Sequence, residues 1–371
     1  MQRLSVNFLD PGMVAAKNVR SAEGRLLVTA DTVLSETMIA SLQKNSLGSI
    51  YVWNPLFQNM DVPDVVAEDS RMQCEMALQR AVATYRKTKV FDVKPLKKLL
   101  RELVSEVIRN RDSMIHQLDM RTYHDYIYAH SVNTCVLSLL IAVNMDYPED
   151  KLNDLALGTI LHDVGMMMLP DPILLKIGNL SPEESAKVQQ HPEEGFNILR
   201  SVQEIPITAT HIAFQHHERV DGKGYPRQLT ADKILEYAKV ASVADLFDAL
   251  VSDRPYRKGM VPHEAYEVMM MLGGTYVDRE ILQLFLTHVA IYPVGAVVQL
   301  DNGQFGVVTK VTPKLQARPC IRLLTDKTGA LLKEQEEIDL TEHLTLMITR
   351  VLKEKEVFEL GAAVGNGNAS V

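Results

Sequence analysis

Cysteine is scarce. The 371-residue chain carries three, at positions 74, 135 and 320, far apart and without a CxxC spacing. That excludes a disulfide framework and a thiolate zinc site. A block of lysine and arginine is also missing, and 47 acidic against 39 basic residues leave a net charge of -8. Such a field does not attract a polyanion, so no nucleic-acid partner is expected. Long apolar runs are absent too. The most apolar stretch, Val132 to Met145, is broken by Asn133, Ser138 and Asn144 and reads as too short and too polar for a membrane span. Met1 to Val14 holds Asp10, Pro11 and Gly12 where a signal peptide needs an apolar core. The expectation is a cytoplasmic protein.

What is present is an ordinary globular composition, 46% hydrophobic and 23% charged. At roughly 150 residues per domain the length suggests two or three domains. Residues 1–60 read as a small α+β regulatory module, with strands at Val6 to Phe8, Arg25 to Val28 and Ser49 to Trp53 and a helix at Thr37 to Asn45. Residues 61–120 read as linker or signalling helices. Pro63 and Asp64 suit one helix start, and Pro95 the first turn of another. Leu96, Leu99, Leu100, Leu103, Val107 and Ile108 then recur at helical spacing. That stripe packs on its own domain or forms a homodimer seam. Residues 121–290 alternate helical segments with polar loops. Residues 291–360 turn β-rich, with Asn302-Gly303 as a hairpin signal. Residues 361–371 read as a disordered Gly/Asn/Ala tail. The fold class is mainly α, a helical core with small α+β and β flanks.

Histidine is the informative residue. Eight of the 11 fall between positions 116 and 217, where scatter would place about three. The chemistry-bearing side chains in chain order are His130, His162-Asp163, His191, His216-His217 and Asp245. The gaps are 162-130=32, 191-162=29, 216-191=25 and 245-217=28. Each accommodates a helix and its connection, so successive helices of a bundle can each deliver one ligand or pair. Imidazole and carboxylate without thiolate suit iron, manganese or zinc. His162 and Asp163 point about 100° apart on a helix, so they can reach two faces of one ion or bridge two.

The surrounding words are longer than a chance dipeptide. Residues 216–226 read HHERVDGKGYP, residues 191–199 HPEEGFNIL, and residues 245–257 DLFDALVSDRPYR. Over roughly residues 120 to 290 the sequence resembles the HD-GYP family, the branch of the HD phosphohydrolases that cleaves cyclic di-GMP. The resemblance implies an all-helical HD-GYP core and hydrolysis of cyclic di-GMP to linear pGpG, GMP or both. It implies a centre of two divalent metals, with a third as the alternative, iron or manganese, held by His130, His162, Asp163, His191, His216, His217 and Asp245. Asp163 is then the bridging carboxylate and, with His162, the catalytic pair. Arg254 and Arg257 become phosphate contacts. Gly224, Tyr225 and Pro226 form a loop that shapes the site or meets partners such as diguanylate cyclase-type proteins.

Two positions depart from the family. Many members read HDxGK, where the lysine approaches the substrate phosphate; here that position is Met166. Losing one well-placed transition-state donor costs on the order of 10²–10³ in rate, so the expectation is an active but slow enzyme. A third metal usually takes a carboxylate about one turn before the first histidine. Tyr126 lies four positions before His130, and Asp125 five before. Two ions are therefore expected. The competing readings are a catalytically weak cyclic-dinucleotide sensor, favoured by Met166, and a phosphodiesterase acting on cyclic GMP-AMP.

Overall fold

The computed structural model describes the chain except residues 1, 22–24, 46, 58–59, 61–64, 116–125, 175, 177, 253–258, 333–335 and 368–371. The chain divides into two compact units. One comprises residues 1–63, 114–123 and 289–371, the other residues 64–113 and 124–288.

The first unit opens with β1 (Gln2–Ser5), β2 (Val19–Arg20), β3 (Leu26–Val28), α1 (Glu36–Lys44) and β4 (Ser49–Val52). β1 pairs antiparallel with β4, and β2 with β3. Val6 to Phe8, read from sequence as a strand, is a 3-10 turn. The Ser5 hydroxyl accepts from the Asn7 amide and bends the chain there, so the pairing strand lies just before it. The helix at Thr37 to Asn45 matches α1. Ser35 starts it by accepting from the Met38 amide.

The second unit is helical: α2 (Glu68–Thr88), α3 (Lys94–Arg109), α4 (Tyr126–Asn144), α5 (Glu149–Ile160), α6 (Asp171–Leu174), α7 (Pro182–Val188), α8 (His191–Leu199), α9 (Ile207–Gln215), α10 (Glu236–Val251), α11 (Pro262–Leu272) and α12 (Arg279–Leu286). α3 buries Leu96, Leu100, Leu103, Val104 and Val107 against α2, α4 and α5. Each buried leucine stabilises by roughly 1.5–3 kcal/mol. The stripe thus belongs to its own unit. α4 is apolar all round because α2, α3, α5, α10 and α12 surround it. Among the described helices it is the one long and apolar enough by composition to cross a membrane, and 83% of that apolar window is buried inside the protein. The expectation of a stretch too short and too polar to span is therefore corrected: the helix reaches back to Tyr126, and it is its burial in the protein, not its length, that marks it as a core helix.

The first unit closes with β5 (Val297–Leu300), β6 (Phe305–Lys310), β7 (Cys320–Leu323), β8 (Glu337–Asp339), β9 (Ile348–Val351) and α13 (Glu354–Gly367). The five strands form one antiparallel sheet in the order β8-β7-β6-β5-β9. Asn302-Gly303 turns β5 into β6, with Gly303 at φ +91, a conformation that suits a residue without Cβ. The tail needs a correction: residues 361 to 367 continue α13. Val357 and Leu360 pack with Leu56, Phe57 and Leu352 and anchor that helix, which composition alone does not reveal.

Cys74 and Cys135 are buried, and burial pushes both thiols up to about 12. Cys320 on β7 is half-buried. In native protein, titration with a thiol reagent should therefore detect Cys320 first, and the other two only after denaturant is added.

Candidate metal centre

Five segments of the helical unit converge. α4 carries His130, the turn after α5 carries His162 and Asp163, and α8 begins at His191. His216 caps α9 with His217 beside it, and α10 supplies Asp245. Gly165 permits this meeting. A Cβ there would stand 2.1 Å from the His191 carbonyl oxygen and 2.7 Å from the Gly195 nitrogen.

The ligand atoms sort into two clusters. Those of His130, His162 and Asp245 lie within 4.8 Å of one another, as do those of Asp163, His191, His216 and His217. Asp163 faces both. Its Oδ2 is 3.8 Å from His130 Nε2 and 3.6 Å from His162 Nε2. Its Oδ1 is 3.2 Å from His191 Nε2 and 3.7 Å from His216 Nε2. Asp245 Oδ1 closes the first cluster, 3.0 Å from His130 Nε2 and 3.9 Å from His162 Nε2.

The imidazoles are oriented from behind. His162 Nδ1 is 2.6 Å from Thr159 O, His191 Nδ1 is 2.6 Å from Val188 O, and His216 Nδ1 is 3.0 Å from Ala213 O. A carbonyl only accepts, so Nδ1 carries the proton and Nε2 of the neutral ring presents a lone pair. His162 Nε2 is accordingly buried with no hydrogen-bond partner among the described residues. His191 Nε2 and His216 Nε2 stand 3.2 Å apart, and with both Nδ1 atoms turned to carbonyls the neutral rings would set two lone pairs against each other. A cation between them resolves that opposition, and this donor set fits divalent metal ions. Burial opposes charge on His216, but Asp163 and Asp245 outweigh it and raise that ring above the usual imidazole range.

Electrostatics follows the same division. Burial drives His162 down to about 4, so its ring is neutral at pH 7. Burial, reinforced by His216 and His191, lowers His217 well below the usual imidazole range too. Burial alone would raise the two carboxylates, but the facing imidazoles outweigh it and hold Asp163 and Asp245 below the usual carboxylate range. Burial opposes charge on His130 as well. The hydrogen bonds to Asp245 and Asp248 prevail and push that ring up to about 10.

The loop after His217 forms one wall. The Tyr225 ring stacks on His217 at 4.7 Å. Gly224 is pressed against the backbone, since a Cβ would meet Arg219 N at 2.4 Å and His217 O at 2.5 Å. The Tyr225–Pro226 peptide is cis. Glu218, buried, accepts from the Arg227 and Leu229 amides at 2.8 and 2.9 Å and fastens the loop. Met166 opens the 3-10 turn Met166–Met168 directly after the His162-Asp163 pair. Arg254, Arg257 and Asp125 lie outside the described residues.

Residues 102–281 match the model of the HD domain, and residues 297–360 that of the KOW domain associated with the HD domain. A cyclic di-GMP phosphodiesterase of Pseudomonas aeruginosa is 32% identical over 270 residues, covering 72% of this chain and 65% of the relative. A cyclic di-GMP phosphodiesterase of Thermotoga maritima is 37% identical over 186 residues, covering 50% of this chain and 49% of the relative. The chain belongs to the HD-GYP family. A third relative, a 3'3'-cGAMP-specific phosphodiesterase of Vibrio cholerae, is 39% identical over 129 residues, with coverage of 34% and 25%. The chain thus spans less than two thirds of the length of each of these relatives. Divalent-metal binding accords with the HD domain and with both His/Asp clusters of this HD-GYP protein.

Two functional side chains escaped the sequence reading. Asp248, fully buried, holds His130 Nδ1 at 2.6 Å; Glu218 fastens the loop. Each had a faint signal, Asp248 lying one helical turn after Asp245 and Glu218 directly after the histidine pair.

Proposed function

We propose that this chain hydrolyses the phosphodiester bonds of cyclic di-GMP at a centre of two divalent cations. The reading rests on the opposed lone pairs of His191 and His216, 3.2 Å apart and both tied from behind. His130, His162, Asp163 and Asp245 would hold one ion; Asp163, His191, His216 and His217 would hold the other. When bound, the two ions supply Lewis acidity toward water and toward the phosphoryl oxygens. Asp163 offers one oxygen to each cluster and so sets their separation. The stacked rings of His217 and Tyr225 keep one side of the site dry, which strengthens every charge interaction inside. Arg254 and Arg257 are assigned to the substrate phosphates on the family motif; a guanidinium fork matches two phosphate oxygens. Iron and manganese are the proposed metals, with pGpG or GMP as product. Met166 in place of a lysine supports slow turnover. The Vibrio cholerae relative supports cyclic GMP-AMP as the second substrate to examine.

The deciding assay uses anaerobic protein loaded with Fe(II) or Mn(II), cyclic di-GMP and cyclic GMP-AMP as separate substrates, and chromatographic identification of products. Metal-dependent release of a linear dinucleotide or GMP is expected. Full metal loading with neither substrate cleaved would sink the proposal.

Metal uptake should also depend on pH in a defined direction. A coordinating ring must be neutral. His162 and His217 are neutral already at pH 7, whereas His130, pushed up to about 10, must lose a proton, and His216, raised by Asp163, holds its proton to higher pH than a free imidazole. Affinity should therefore rise about tenfold per pH unit between roughly pH 7 and 9 for each proton displaced. Titrations of Mn(II) binding at several pH values check this, and a flat profile contradicts it.

A further inference from the structure

Behind His130 runs a chain of buried polar groups that ends on a helix supplying none of the metal-centre residues. His130 Nδ1 donates to Asp248 Oδ2 at 2.6 Å. Asn133 Nδ2 donates to Asp248 Oδ1 at 3.1 Å. Arg71 Nη1, from α2, donates to Asn133 Oδ1 at 3.0 Å. All three supporting residues are withdrawn from solvent: Asp248 is 0% exposed, Asn133 4% and Arg71 9%. Arg71 also lies before the segment that matches the HD domain, which begins at residue 102.

The order of donors and acceptors in this chain leaves one consistent arrangement. A guanidinium only donates and a carboxylate only accepts. The Asn133 amide lies between them, so its oxygen must face Arg71 and its NH₂ must face Asp248. Turned over, it would set NH₂ against guanidinium and oxygen against carboxylate, in a site where water cannot relieve either clash. With Asn133 in place, Asp248 has one oxygen engaged and the other aimed at His130. That bond keeps a proton of His130 on Nδ1 and leaves Nε2 for the cation that Asp163 and Asp245 would also hold. The remaining ring nitrogens with a known support, on His162, His191 and His216, lean on carbonyls of nearby backbone. Among these supports, and among the described residues, His130 is the one with a carboxylate at its back that another helix fixes in turn.

We propose that Arg71 is a positioning residue for the metal centre, acting through Asn133 and Asp248 to set the affinity of the His130 half alone. The proposal rests on the two-cation reading above. It gives α2 a lever on one of the two ions, and a displacement of that helix would be felt at His130 before any other ligand.

The test is Mn(II) titration of the full chain followed by electron paramagnetic resonance, comparing wild type with Arg71→Met, Asn133→Ser and Asp248→Asn. Partners standing behind a ligand typically contribute 10–100-fold in metal affinity. The expected losses at one of the two ions are about a hundredfold for Asp248→Asn and about tenfold for Asn133→Ser and Arg71→Met. The second ion should stay at wild-type affinity. The spectrum should change from that of a spin-coupled pair to that of an isolated Mn(II), and Arg71→Lys should recover part of the loss. If Arg71→Met fails to fold by circular dichroism, Asn133→Ser carries the same prediction. Wild-type affinity at both ions in a folded variant overturns the proposal, and so does equal weakening of both, which would indicate general loosening. A wild type that binds no ion overturns the metal-centre reading itself and is seen in the first titration.

Discussion

Asp163→Asn should lose both cations together, and phosphodiesterase activity should fall by at least about 10³-fold. The Asp163 oxygens face different clusters, with Oδ2 toward His130 and His162 and Oδ1 toward His191 and His216. An amide keeps the shape but removes the charge and turns one of those faces into a donor. The first cluster is then left with Asp245 as its one carboxylate and the second with three imidazoles and none, so both should hold a dication more weakly. His162→Ala is the informative partner, since it takes a ligand from one cluster only and should leave one ion bound. Elemental analysis after desalting, beside single-turnover rates, reads both. Retention of two ions by Asp163→Asn would remove the bridging role.

The second large effect needs no change in any ligand. Gly165→Ala adds a methyl group that would sit 2.1 Å from the His191 oxygen, 2.7 Å from the Gly195 nitrogen and 2.9 Å from the His191 carbonyl carbon. These are backbone atoms, so no rotamer relieves the clash and α8 must retreat from the turn that bears Asp163. Overpacking of this kind destabilises by about 1–3 kcal/mol. A misplacement of about 1 Å between reacting groups is worth about 10² in rate. The variant should therefore melt lower and lose about 10²-fold or more in kcat with its ligand set intact. Gly48→Ala, where an added Cβ meets nothing within 4 Å, is the control. Equal rates for the two variants would show that the helix can yield without consequence.

The sequence singled out the candidate metal-centre residues because each is chemically conspicuous and they come singly or in adjacent pairs spaced about a helix and its connection apart. His130, His162, Asp163, His191, His216, His217 and Asp245 could be named before any coordinates, and the structure brings their side chains together. The groups that orient them were harder to read. Thr159, Val188 and Ala213 act through backbone carbonyls, which every residue has, so nothing in their identity marks them. Asp248 and Glu218 are ordinary acids whose importance comes from what lies opposite in space. Short local structure was the other weakness. Val6 to Phe8 has the composition of a strand, but one hydroxyl hydrogen bond turns it, and three residues are too few for a pattern to register. The glycines and alanines after Leu360 suggest a loose tail, yet side chains from the preceding turn of α13 hold it in place.

The fixed Nδ1 protons have a consequence for which ions the pocket admits. Three rings are locked to main-chain oxygens and cannot swivel to follow an incoming guest, so the opening has a set width before anything enters. Calcium, which gathers six to eight oxygens at longer and more variable distances, would meet five imidazoles and two carboxylates, a donor set poorer in oxygen than the one it takes. Smaller transition metals that favour imidazole find their bonding directions already laid out, and for them the entropy of ordering the ligands was spent when the helices came together.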